Sequence, residues 1–239
     1  MLSALFPHPA GCALAAQPLR GKLATYGSFC AVALAFFAPL RAAELACKIT
    51  DTKNAPVADA IVSLVPLDAP PPTLAPPSEP VLISQQGEEF QTFVTPITVG
   101  TMVTFPNADK VSHQVYSQSP AKKFAFPLYK PGAMPTVTFD RPGVIALGCN
   151  IHDWMLAYVV VLETPWFAKT SADGTATLTG VPPGRYRAEV WHPRLAKTEK
   201  REITLAAAGA PSAPLAFSLA LKPDRRIRHS VETTGGGYK

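Results

Sequence analysis

The chain has 239 residues, of which 47% are hydrophobic and only 16% charged, and it carries 26 prolines. That is a globular composition sized for one or two domains, and the proline content suits a loop-rich, all-β protein better than a helical one. The formal charge of +5 includes three cations near the N-terminus, Arg20, Lys22 and Arg41; the balance of about +2 is too near neutral for a nucleic-acid-binding surface.

Residues 1–43 contain no acidic side chain. Arg20 and Lys22 precede the apolar run Phe29–Ala38, and the small residues Ala42 and Ala43 follow. This is the layout of a secretory signal peptide, with cleavage expected near Ala42 or Ala43; a retained N-terminal anchor is the alternative. The apolar core is short for a membrane span, so no stable membrane insertion is expected after cleavage, and a periplasmic location follows. Cys12 and Cys30 would leave with the leader, and Cys47 and Cys149 would remain. Cys47 reads as a strand residue without a chemical role, although an oxidising compartment would permit a disulfide.

Residues 44–66 hold two short strand patterns, Cys47–Thr50 and Ala60–Val65, joined by a turn-rich segment. Residues 67–80 are a proline-rich connector: in the fifteen positions from Pro66 to Pro80, seven are proline, which favours an extended, semi-rigid chain. Period-2 alternation returns from Phe90 to Val94, and Gly100 turns the chain into Thr101–Phe105. Phe124, Phe126 and Leu128 alternate, as do Val137 and Phe139. Short alternating strands punctuated by turns predict an all-β, Greek-key sandwich over residues 81–163.

Within that span, Cys149-Asn150-Ile151-His152-Asp153-Trp154-Met155 places a thiolate, an imidazole and a thioether between two apolar, β-branched runs, Val144–Leu147 and Leu156–Val161. Such runs read as buried strands, so the three groups fall on a tight loop at one end of a sheet. A one-electron copper centre takes one thiolate, two imidazoles and a weak axial thioether. The second imidazole is best supplied by His113, which follows the turn residues Pro106, Asn107 and Asp109. Each of these residues taken alone reads as structural: a buried thiol, a core methionine, a hydrogen-bonded histidine. Their combination points to a metal.

The Cys-x-x-His-x-x-Met loop, the upstream histidine and the flanking strands resemble the cupredoxins, the blue copper proteins of the plastocyanin and amicyanin type. The resemblance implies one type 1 copper ion held by Cys149, His113 and His152, with Met155 as weak axial ligand. Two neighbours depart from the pattern. Many cupredoxins follow the first histidine with an asparagine that ties the two ligand loops together, where this chain has Gln114, and many place proline before the second histidine, where this chain has Ile151. The resemblance further implies a surface-reaching His152 edge for electron entry, with Trp154 as docking surface or core.

Residues 164–222 change character. Asp173-Gly174 and Pro182-Pro183-Gly184, followed by a strand with Tyr186, Ala188 and Val190 on one face, resemble the carboxypeptidase regulatory-like β-sandwich of immunoglobulin or transthyretin type. Residues 44–66 look like the first part of the same module, which predicts a split domain with the copper unit inserted; two consecutive domains are the alternative. Residues 223–239 read as a basic, disordered tail.

The function expected is exported, single-electron transfer between periplasmic redox partners, a methylamine-type dehydrogenase being one donor that the resemblance implies. Copper carriage or storage, and a β-sandwich interaction scaffold, are the alternatives. An enzyme is not expected: the chain lacks the His-x-His pairs of a trinuclear copper cluster, a phosphate-binding glycine loop, and a nucleophile paired with histidine in a known motif.

Overall fold

The computed structural model describes residues 43–75, 77–206 and 214–226, which lie in one compact unit, Leu40–Lys239. The expected leader up to residue 42, and residues 227–239 of the expected tail, lie outside the described residues. These contain seventeen strands and no helix, so the fold is all-β. In chain order the strands are β1 Ala43–Asp51, β2 Ile61–Pro66, β3 Val81–Leu82, β4 Gln85–Gln86, β5 Glu89–Phe90, β6 Val94–Thr98, β7 Thr101–Thr104, β8 Val115–Ser119, β9 Lys122–Ala125, β10 Thr136–Phe139, β11 Gly143–Cys149, β12 Leu156–Leu162, β13 Phe167–Lys169, β14 Thr175–Val181, β15 Gly184–Trp191, β16 Glu199–Leu205 and β17 Leu215–Leu219.

Seven of these strands surround one hydrophobic core. β1 lies between β14, antiparallel, and β17, parallel, and the second sheet runs β13-β2-β15-β16. Alternation decides the facing: Leu45, Cys47 and Ile49 of β1, Tyr186, Ala188 and Val190 of β15, and Leu215, Phe217 and Leu219 of β17 all enter this core. One turn needs glycine for steric reasons. Gly174 has φ +75°, and a Cβ there would sit 2.3 Å from the Ile49 carbonyl oxygen.

The other large core is enclosed by the three-stranded sheet β10-β7-β3 and the five-stranded sheet β6-β12-β11-β8-β9. β12 is buried on both faces. Ala157, Val159 and Val161 point into this core, while Val160 packs with Ile61 and Val94 in a small cluster that includes residues of the first sandwich. This two-sided burial explains why Ala157–Val161 reads as a continuous apolar run, Leu156 ahead of it being exposed. Phe105, Phe139, Ile145 and Leu147 are almost fully buried, and each such side chain contributes about 1.5–3 kcal/mol relative to exposure. The ends of β8 and β11 are thereby held by the core itself.

Two stretches differ from the sequence reading. The alternation expected from Phe90 to Val94 is broken: β5 ends at Phe90 and β6 begins only at Val94, while the turn before β5 places Gly87 and Glu88 at φ of +65° and +56°. Residues 223–226, expected in the disordered tail, are placed against the sheet. The Asp224 carboxylate pairs with Arg226, whose guanidinium lies 3.7 Å from the Phe93 ring centroid. Ion pairing and stacking on an aromatic face position the segment.

Candidate metal centre

Register brings the candidate ligands together. β11 and β12 pair antiparallel from Gly143↔Val161 to Gly148↔Leu156, so the loop between them is short and starts at Cys149. β8 is in register with β11 at Gly148↔Tyr116 and Cys149↔Val115, the same end of the sheet. His113, two residues before Val115, therefore arrives beside the thiol. Its backbone exchanges both hydrogen bonds with Tyr129, at 3.0 and 2.9 Å.

The donor atoms of His113, Cys149 and His152 all lie within 4.8 Å of one another. Cys149 Sγ is 3.7 Å from His113 Nδ1 and 3.6 Å from His152 Nδ1, and the two Nδ1 atoms are 3.2 Å apart. Sulfur and imidazole donors at about 2.0–2.3 Å from a common ion stand roughly 3–4 Å from each other, so this spacing fits a single metal. A thiolate with two imidazoles is the donor set that copper takes in electron-transfer sites. His113 and Cys149 are 0% and 3% exposed, which keeps water from the donors. Met155 is also 3% exposed and belongs to the same buried cluster as Cys149; its N–H donates to the His152 carbonyl at 3.0 Å, closing the loop.

Outer groups orient these donors. His113 Nε2 lies 2.8 Å from Asp109 Oδ2. With the Nε2 hydrogen given to the carboxylate, the neutral ring carries its lone pair on Nδ1, facing Cys149 and His152. Burial acts to raise the Asp109 pKa, but hydrogen bonds from the Glu88 N–H, the His113 ring and the Gly87 N–H outweigh it and hold the carboxyl below its ordinary value. Gln114 N–H points at Cys149 Sγ from 3.5 Å. Tyr129 donates its hydroxyl to Gln85 Oε1, both residues being buried. Burial, with the nearby Cys149 as a lesser cause, pushes the Tyr129 phenol well above its usual range, so it stays a neutral donor.

His152 is mostly covered but keeps part of its side chain at the surface. Its side chain is 12% exposed, Trp154 lies against it with ring centroids 5.4 Å apart, and its Nε2 is 3.9 Å from Glu88 Oε2. Trp154 is neither free docking surface nor deep core: it is partly buried and donates Nε1–H to the Glu88 carbonyl at 3.0 Å. The exposed apolar residues nearest in sequence to the two histidines are Val111 and Ile151.

Sequence reasoning read Asp109 as a turn residue and passed over Glu88, Gln85 and Tyr129. The four-residue spacing from Asp109 to His113 was a usable signal, since a turn can fold a carboxylate back onto an imidazole at that distance. Nothing in the local pattern marks Glu88. The remaining described cysteine, Cys47, is free like Cys149 and lies in the other core. Burial lifts its thiol to about 11, which suits an inert core residue.

No family model and no curated protein matches the chain. Among solved structures, a copper-containing nitrite reductase from Thermus scotoductus aligns at 30% identity and TM-score 0.34, over 36% of this chain and 23% of that one. Amicyanin from Paracoccus versutus aligns at 21% identity and TM-score 0.33, over 36% of this chain and 84% of its own. A purple cupredoxin from Nitrosopumilus maritimus aligns at 26% identity and TM-score 0.30, over 34% of this chain and 96% of its own. Each of these covers about a third of the chain, and the chain spans less than a quarter of the reductase.

Proposed function

We propose that this protein is an exported type 1 copper protein that carries single electrons between periplasmic redox partners. The observation that carries the reading is the convergence of Cys149 Sγ, His113 Nδ1 and His152 Nδ1 at mutual distances of 3.2–3.7 Å on a buried sheet end. Copper, when bound, supplies a Cu(I)/Cu(II) couple. The chain supplies a thiolate from Cys149, two oriented imidazole lone pairs, and the Met155 thioether as a weak fourth donor. His113 is held by Asp109 and by its paired backbone bonds with Tyr129, and Gln114 N–H steadies the sulfur. Little rearrangement is then needed between oxidation states, which favours electron exchange over release of the metal as cargo. Trp154, its ring tilted against His152 with centroids 5.4 Å apart, offers an aromatic route from the centre toward a docked redox protein or dehydrogenase. The second sandwich, with residues 44–66 and 164–222 as its two parts, serves as a structural module, and the chain has no catalytic reaction of its own.

The test is the optical and EPR spectrum of the full chain with Cu(II), beside Cys149→Ser. An intense visible thiolate-to-copper band and a narrow hyperfine splitting, both lost in the variant, are expected. A weak spectrum indifferent to Cys149 sinks the reading.

A further inference from the structure

Both imidazoles have a carboxylate at the nitrogen turned away from the donor cluster, and one turn reaches both. His113 Nε2 is 2.8 Å from Asp109 Oδ2, and His152 Nε2 is 3.9 Å from Glu88 Oε2. Asp109 is not free to move: Gly87 N–H donates to Oδ1 at 2.5 Å, Glu88 N–H donates to Oδ2 at 3.0 Å, and its own N–H donates to Asn107 Oδ1 at 3.0 Å. Presenting two successive amides to one carboxylate takes the positive φ of Gly87 and Glu88. For a non-glycine residue such as Glu88 that conformation is unfavourable, and it persists where the surroundings hold it. The Glu88 carbonyl meanwhile accepts from Trp154, whose ring lies on His152.

We propose that the Gln86–Glu89 turn and Asp109 form a two-carboxylate brace that orients both ligand imidazoles and raises their basicity, poising the copper couple toward Cu(II). The proposal rests on the copper reading of this site and deepens it. A carboxylate accepting the outer N–H of a ligand imidazole makes the ring a stronger donor, and loss of such a partner typically costs roughly 10–100-fold in metal affinity. Because the negative charge favours the more highly charged ion, the loss falls mainly on Cu(II). The two carboxylates are unequal. Asp109 is 10% exposed and in hydrogen-bond contact, whereas Glu88 is 43% exposed and farther away, so water and salt screen it.

The experiment uses the full copper-loaded chain and the variants Asp109→Asn, Glu88→Gln and Glu88→Lys, at fixed pH and low salt. The wild-type chain first has to show the thiolate-to-copper band; its absence overturns the copper reading and the brace with it. With the band present, Asp109→Asn is expected to weaken Cu(II) relative to Cu(I) by at least roughly tenfold, a rise of about 59 mV in the one-electron potential. Glu88→Gln is expected to raise the potential by less, and Glu88→Lys by more than Glu88→Gln. In the diamagnetic Cu(I) form, the His113 Nε2 proton resonance is expected to be strongly downfield in wild type and to move upfield in Asp109→Asn. An unchanged potential across all variants with the band intact, or a His113 Nε2 proton indifferent to Asp109, overturns the brace while leaving the copper reading standing. If Asp109→Asn fails to fold, the order of potentials wild type, Gln, Lys at position 88 decides the matter, and no such order overturns the proposal.

Discussion

Gln114 and Asn150 are joined twice: Asn150 Nδ2 donates to Gln114 Oε1 at 3.1 Å, and Asn150 N donates to Gln114 O at 3.1 Å. These bonds link the residue after His113 to the residue after Cys149, and so tie the two ligand-bearing segments across the sheet end. Gln114 thus ties the two candidate ligand segments to each other. The side-chain bond is exposed, so its net worth is about 0.5–1.5 kcal/mol. Gln114→Ala is expected to keep the fold and the visible copper band and to speed copper release up to roughly tenfold, by the same figure expressed as a rate. Release into a chelator, followed at that band, measures it.

The two described cysteines should behave oppositely. Cys47 is a 2% exposed member of the other sandwich's core, with its thiol lifted to about 11. Cys47→Ala is expected to lower stability by about 1 kcal/mol through lost packing and to leave the copper spectrum unchanged. Cys149→Ser is expected to abolish the spectrum. In the native chain Cys47 should resist alkylation at pH 8, which mass spectrometry of the treated protein would reveal.

His192 makes stability depend on pH. Burial, and then the nearby Arg194, lowers its pKa from 6.5 to about 4, and its Nδ1 accepts the Arg194 N–H at 3.2 Å, which the neutral ring alone can do. The unfolded chain binds this proton below about pH 6.5 and the folded chain only below about 4, so the unfolded state holds more protons in between. Stability from this group is therefore complete above about pH 6.5, falls as pH drops toward 4, and changes no further below that. The full linkage is up to about 3 kcal/mol. Unfolding of the metal-free chain at pH 7.5 and pH 4.5 should show a loss that His192→Gln largely removes. An equal loss in the variant would refute the assignment.

Gly174→Ala is expected to destabilise the chain without touching the metal centre. A Cβ there meets the Ile49 carbonyl oxygen at 2.3 Å, the Val57 nitrogen at 3.0 Å and the Pro56 Cα at 3.2 Å, all backbone, and φ is +75°. Neither strain nor clash can relax by side-chain rotation, so a cost of about 1–3 kcal/mol or more follows. Thermal unfolding gives the cost, and the copper spectrum serves as the control.

The all-β class was legible because it is written locally. Tyr186, Ala188 and Val190 alternate with outward Arg187 and Glu189, and Leu215, Phe217 and Leu219 do the same, so the strands and their inward faces follow from period 2. The break after Phe90 was not legible. Nor was the turn ahead of β5: a glutamate at φ +56° runs against local preference, and the partner its N–H meets is Asp109, twenty-one residues away in sequence.

The chain's own order determined that Cys149, His152 and Met155 share one loop between two buried strands, because three-residue spacing and flanking apolar runs are short-range properties. Tertiary structure alone decided that His113 arrives beside that loop, and that Asp109 and Glu88 stand behind the two imidazoles. Those relations depend on strand register and on turns that bring distant segments together, where one residue of slip would turn every inward side chain outward. Periodicity records which way a side chain faces; only the closed sandwich determines what it meets there.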